Sequence, residues 1–152
     1  VIAVPSLPVL DIPGARKITV ESWTRFTGRL RLYAQDIDVG VRVERCAAGR
    51  LRDAYPAGAH DLEVRIDGGC PQDTLAELLG TLVDAVRTAD PHCRRIVYAV
   101  AEDDRETRAA VAAAGFRHAV DVDLGRQQLS LLVAEPEWVT ATDMDLDHVP
   151  GS

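Results

Sequence analysis

Aromatic side chains are scarce: Phe, Trp and Tyr make up 5% of the 152 residues. Any core must therefore rest on Val, Leu, Ile and Ala, and hydrophobic residues at 47% suffice for one domain of ordinary size. Positive charge is also short, with 17 Lys and Arg against 24 Asp and Glu and a net charge of -7. That balance speaks against a nucleic-acid or anionic-membrane surface, which needs clustered positive charge. It is compatible with a cationic substrate, and equally with acidity that serves only solubility. The three cysteines, Cys46, Cys70 and Cys93, are odd in number and form no CxxC pair. They suggest no disulfide framework or zinc knuckle and fit a reducing, cytoplasmic compartment. His60, His92, His118 and His148 are scattered without metal-ligand spacing, so no metal is expected.

No apolar run approaches the roughly 18–20 residues that span a bilayer. The opening VIAVPSLPVLDIPG is apolar, but Pro5, Pro8 and Pro13 interrupt it and no basic segment precedes it. It reads as neither signal peptide nor anchor. Residues 1–14 are expected to form an extended arm ordered against a protein surface, its own domain or a partner's; a homodimer interface is one way to cover it. Residues 15–139 form a single domain, and an acidic tail, 140–152, is expected to fray.

Along the chain, Lys17–Arg25, Arg29–Ala34 and Gly40–Cys46 alternate apolar and polar residues, some more strictly than others. They read as antiparallel strands joined by short turns. Ala47–His60, with Gly49, Pro56 and Gly58, reads as a loop or a short irregular strand. Asp61–Ile66 is a strand and Asp67–Asp73 (DGGCPQD) a turn-rich loop. Thr74–Arg87 carries Leu75, Leu78, Leu79, Leu82, Val83 and Val86 at helical spacing. Thr74 with Glu77 has capping-box spacing. Arg95–Val100 suits a central strand. Asp104–Ala114 is an alanine-rich helix, with Asp103 and Glu106 able to cap its start and Gly115 placed for the left-handed residue after its end. Arg117–Leu124 and Gln127–Val133 are two more strands with Gly125 at the turn. The order predicts an α/β (α+β) domain. Its sheet is mixed and mostly antiparallel, with one parallel strand pair bridged by a right-handed βαβ crossover and two main helices packed on it. Leu75, Leu79, Leu82, Val86, Val97, Ala99, Val111 and Phe116 are expected in the core, and Tyr98 more as core than as a cleft residue.

The succession DLEVRI, loop, LAELLGTLVDAV, RIVYAV and a short helix ending in AAAGF, over residues 60–133, resembles the second half of the GNAT superfamily of CoA-dependent N-acyltransferases. The resemblance implies that the strand before the loop splays from the next one and that acyl-CoA pantetheine lies between them. It also implies a pyrophosphate at the helix start, where free N–H groups and the helix dipole attract phosphate. On this basis the backbones of Val64 and Ile66 would pair with pantetheine, and Gln72, Thr74 and Ala76 would lie at the phosphates. Glu63, and more weakly Asp61, would supply the base, since the family often places a carboxylate on this strand.

The departures from the family pattern are specific. The aligned phosphate loop reads Pro71, Gln72, Asp73, Thr74, Leu75, Ala76. Pro71 lacks an N–H, Thr74 stands where glycine is usual, and Asp73 puts a carboxylate beside the expected anion. A register shifted toward Gly68 and Gly69 would restore flexibility but not spacing, and the segment also reads as an ordinary strand-to-helix connection. The family's common helix tyrosine, which reprotonates the CoA thiolate, falls on Val111, and its common asparagine on Asp104. No amphipathic helix precedes Asp61 to wall an acceptor site. Two readings follow: an acyltransferase moving an acyl group from acetyl-CoA or another acyl-CoA to an unidentified amine, on a small molecule or a protein; or a catalytically degenerate module that binds a ligand or protein.

Overall fold

The computed structural model describes residues 3–12, 17–34, 37–67 and 70–136. Three strands come first, β1 (Lys17–Trp23), β2 (Thr27–Ala34) and β3 (Ile37–Arg45), then a single 3-10 turn (Cys46–Ala48) and strand β4 (Leu62–Asp67). Helix α1 (Gln72–Ala89), strand β5 (Ile96–Ala101), helix α2 (Arg105–Ala113) and strands β6 (Arg117–Leu124) and β7 (Gln127–Ala134) complete the order. All seven strands share one sheet, β1-β2-β3-β4-β5-β7-β6. Every pairing is antiparallel except β4 with β5, which α1 connects. The expected mixed sheet with one parallel pair and two helices is what the chain forms.

Alternation decides the faces. In β2 and β3, Leu30, Leu32, Val39, Val41 and Val43 point to one face, where they join Leu62, Val64, Ile96, Tyr98 and Val100. The stripe of α1 (Leu75, Leu78, Leu79, Leu82, Val83, Val86) and Ala110, Val111 and Phe116 close this main core. Both helices thus cover the same face. Val97, Leu131 and Val133 point the other way, where among the described residues Cys46 and Leu51 of the 46–60 segment pack on them, with Val122 and Leu124 of β6 alongside. Of the expected core residues, Ala99 alone is half-buried: it faces this second, thinly covered side.

The helix ends correct two expectations. α1 starts two residues before Thr74, with Pro71 as N-cap at φ -57° and no side-chain cap. Thr74 is the third helical residue, so the Thr74–Glu77 capping box does not form. Proline at the boundary costs the helix no donor, because the orphan N–H groups belong to the residues after it. At α2 the cap is Asp104, not Asp103: its carboxylate accepts from the Thr107 N–H at 3.1 Å and the Thr107 hydroxyl at 2.7 Å. Past its end, Gly115 has φ +97°. Phe116 N–H reaches Val111 O and Gly115 N–H reaches Ala112 O, a Schellman ending that drives Phe116 into the core.

The described part of the arm, 3–12, packs on its own domain, with Leu7, Leu10 and Ile12 in the main core and Val9 82% exposed. Leu7 N–H donates to Arg25 O at 2.7 Å. Arg45, 1% exposed, donates to the carbonyls of Pro5, Ser6 and His60 and to the Asp90 carboxylate. One guanidinium therefore ties the arm, the end of β3, the approach to β4 and the end of α1 together. Val1, Ile2, Pro13, Gly68, Gly69 and the tail 140–152 lie outside the described residues.

Candidate functional site

β4 and β5 pair at only two positions, Leu62 with Ile96 and Glu63 with Val97. Beyond them β4 continues to Asp67, held along its length by β3, and β5 continues to Ala101, held along its length by β7. Each strand thus stays with its outer neighbour while the two part in the middle. The result is a wedge that opens toward the start of α1. It leaves strand-edge N–H and C=O groups of β4 beyond Glu63 without a backbone ladder partner on β5, the kind of edge an extended, amide-bearing ligand can pair with.

Val64 (1% exposed) and half-buried Ile66 lie on β4 beyond the last paired rung, with side chains in the main core and backbone at the wedge. Gln72 and Asp73 are exposed in the first turn of α1; Thr74 and Ala76 are half-buried. With Leu75 N–H bonded to Pro71 O, the N–H groups of Gln72, Asp73 and Thr74 are the orphan donors of this terminus. Tyr98, on β5 just past the last rung, is 8% exposed and belongs to the main core. Its phenol has the Ile66 backbone as its polar neighbour across the wedge. Burial is the largest influence on it and pushes its pKa up to about 12, so the hydroxyl stays protonated. Val111 is fully buried in the same cluster.

Glu63 stands on the last paired rung and points to the second face, where it is 1% exposed. Arg50 grips it: Nη2 to Oε2 is 2.6 Å, and Nε lies 3.2 Å from both oxygens. The Arg50 side chain is 27% exposed and sits on a loop, while Glu63 sits on a central strand. Asp61, also buried, accepts from the Tyr55 hydroxyl at 2.8 Å and the Gly58 N–H at 2.9 Å, with Arg95 at 3.7 Å. It is occupied in holding the 46–60 segment to the sheet. Burial pushes the Cys46 thiol and the Tyr55 phenol far up, so neither ionises at neutral pH. Among the described residues no group of three or more His, Cys, Asp or Glu is placed to hold a metal ion. No described helix is long and apolar enough to cross a membrane.

The sequence reading did not find Arg50, because a loop arginine carries no periodicity to say what it meets. Nor did it read the second face of β2–β4 as a unit, although the alternation in RLRLYA and GVRVER carries that signal.

No protein-family model and no curated protein sequence matches the chain. Solved structures do. A Bacillus halodurans protein, bh2621, superposes with a TM-score of 0.67 at 14% identity, over 74% of this chain and 60% of its own. The aminoglycoside acetyltransferase AAC(6')-Ib in complex with coenzyme A gives 0.62 at 11% identity, over 77% of this chain and 70% of its own. Mycobacterium smegmatis RimJ in complex with CoA-disulfide gives 0.53 at 15%, over 75% and 55%. The match therefore spans 55% to 70% of the length of these structures. The element order, the parallel pair that parts after two rungs and the helix start behind it make this the fold of the GNAT acyltransferases.

Proposed function

We propose that the protein transfers an acyl group from an acyl-CoA to an amine, with the pantetheine chain lying in the wedge between β4 and β5. The observation that carries this reading is the two-rung β4–β5 ladder, because it leaves strand-edge backbone beyond Glu63 free to pair with pantetheine amides. The first-turn N–H groups of Gln72, Asp73 and Thr74 follow β4 directly and suit the pyrophosphate, although the Asp73 carboxylate weakens that attraction. The neighbours AAC(6')-Ib and RimJ bind CoA or CoA-disulfide and support a CoA-type co-substrate.

In this reading the amine attacks the thioester carbonyl carbon, the C–S bond breaks, the amine loses a proton and the CoA sulfur gains one. Proximity supplies much of the rate. Glu63 is the proton acceptor at the last paired rung. Arg50 fills that place in the free protein, and because it is loop-borne and partly exposed it can turn to solvent when a substrate ammonium group arrives. With Val111 unable to donate, Tyr98 is a side-chain hydroxyl beside the wedge; at a pKa of about 12 it supplies a hydrogen bond to the departing sulfur and not a proton. The test is calorimetry with acetyl-CoA, followed by thiol release in the presence of amines. Saturable binding that desulfo-CoA and CoA both reproduce would support the reading. No binding at millimolar acetyl-CoA would overturn it and favour the degenerate module, the reading to which the Arg50–Glu63 pair and the buried Val111 already lend weight.

A further inference from the structure

On the second face of the sheet, Arg29, Arg42 and Arg65 stand directly opposite one another on β2, β3 and β4. Like charges in cross-strand register are unfavourable. Yet among the described residues none of the three makes a hydrogen bond or an ion pair, while their neighbours Arg31 and Arg50 are engaged by Asp38 and Glu63. Arg42 and Arg65 are half-buried, not splayed into solvent. Burial, then the charges of Arg50 and Arg42, disfavour the Arg65 cation and outweigh the nearby Glu63 and Glu44 carboxylates, which favour it. In a chain with net charge -7, a row of three guanidiniums that no described carboxylate engages by a hydrogen bond or ion pair is out of keeping with the rest of the molecule. The row borders a shallow depression of about 210 Å³ lined by Arg29, Arg31 and Arg42 and also by Glu21 and Asp67, with Arg65 outside it.

Its position is what gives it meaning. Arg65 is two residues beyond Glu63 on β4, so their side chains share a face about 6–7 Å apart along the strand. A carboxylate at the last paired rung and guanidiniums one step further, with no hydrogen bond or ion pair among the described residues, make a dipolar pair of sites at the mouth of the wedge. Resting on the acyltransferase reading above, we propose that the acceptor is a zwitterion: an amine whose nitrogen docks at Glu63 and whose carboxylate or phosphate, two to three carbons away, docks on Arg42 and Arg65. Guanidinium forks match both anions in the bidentate geometry that makes such contacts strong. A polycation such as the kanamycin seen with AAC(6')-Ib would meet repulsion on this face.

The experiment compares three amines of equal spacing that differ in the second group: ethanolamine (hydroxyl), β-alanine (carboxylate) and phosphoethanolamine (phosphate), with kanamycin as the polycation. Thiol release from acetyl-CoA gives kcat/KM for each. The anionic pair is expected to exceed ethanolamine by about tenfold or more, from two charge-assisted contacts; the better of the two identifies the anion. In the double variant Arg42→Gln, Arg65→Gln that advantage should vanish through KM. Acetyl-CoA affinity should hold, and thermal stability should hold or rise as like-charge repulsion is relieved. Equal use of ethanolamine, preference for kanamycin, or an unchanged preference in the double variant would overturn the proposal. If acetyl-CoA does not bind, the transferase reading fails by itself. Calorimetry with phosphoethanolamine then decides the arginine row alone: binding lost in the double variant keeps the anion site, and no binding to the unaltered protein removes it.

Discussion

Arg45 and Asp90, 45 positions apart in the chain, meet at 2.8 Å inside the protein with 2% and 8% of their side chains exposed. The pair is not isolated. Arg45 spends its remaining donors on the Pro5, Ser6 and His60 carbonyls, and Asp90 also accepts from the His60 ring and the His92 N–H. A buried ion pair is tolerable only when its other hydrogen-bonding capacity is met in this way.

Removing one partner leaves the other charged and dry. Arg45→Ala is expected to cost about 3–5 kcal/mol of unfolding free energy, and to release the arm at the same time. Arg45→Lys should fall between, since an ammonium group cannot span four acceptors with the geometry of a planar fork. Urea unfolding measures the first. Proteolysis within residues 3–12 measures the second, and an arm as protected in Arg45→Ala as in the parent would show that Leu7, Leu10 and Ile12 hold it unaided.

The same pair sets an acid limit. Burial alone would raise the Asp90 pKa, but hydrogen bonds from His60 and Arg45, and the Arg45 charge, outweigh it and hold the carboxyl below its ordinary value of 3.8. A folded-state pKa below the unfolded one means that the unfolded chain binds more protons. The contribution is therefore complete above about pH 4 and is lost as pH falls through the folded pKa. Asp90→Asn should lower stability at pH 7 and flatten the pH dependence below pH 4. Chemical denaturation at pH 7, 4 and 3 gives the slope, and an unaltered slope would assign acid lability to other carboxylates.

Much of this architecture is legible in the sequence, for a physical reason. The stripe Leu75 to Val86 and the alternation of RLRLYA are periodic, and periodicity maps directly onto a face. The Thr74 cap does not form because Pro71 is an equally good boundary three residues earlier, and Thr107 decides between Asp103 and Asp104 by supplying both donors. The candidate site is less legible. A wedge is a property of where two strands stop pairing, and β4 reads as an unbroken strand whether β5 accompanies it for two rungs or for six. The Glu63–Arg50 contact likewise depends on a loop fold that no local pattern announces.

Glu63 supplies a test of the reaction chemistry. Glu63→Gln keeps the shape of the side chain but removes the charge that holds Arg50, at an expected cost of about 1–3 kcal/mol. If it accepts the proton of the attacking amine, kcat should fall by about 100-fold or more while acetyl-CoA affinity is unchanged. A variant with full kcat would reduce Glu63 to the anchor of the 46–60 segment.

Tyr98 separates packing from catalysis. Tyr98→Phe removes one hydroxyl and leaves the ring among its core neighbours, so stability should change by about 1 kcal/mol. If the phenol steadies the departing sulfur, kcat should drop about tenfold with little change in KM. A thioester whose leaving thiol is more acidic should lose less, because its sulfur needs less help. Equal losses for both esters, or none, would leave the phenol as a core side chain that happens to border the wedge.

The three thiols should react in an order fixed by burial. Cys46 and Cys93 are 0% and 2% exposed, and burial is the leading cause pushing both thiols up, Cys93 to about 12. Cys70, half-buried just before α1, is pushed up by burial to a smaller degree. A disulfide reagent at pH 8 should therefore titrate one thiol in the native protein and all three after unfolding, since the thiolate is the reacting form and access limits it further. Cys70 also flanks the proposed phosphate terminus, so acetyl-CoA should slow its modification without affecting the other two. Protection of Cys70 by acetyl-CoA but not by acetate would place the cofactor at the wedge mouth by a route that needs no turnover. Equal reactivity with and without acetyl-CoA, at concentrations where calorimetry shows binding, would move the cofactor elsewhere on the fold.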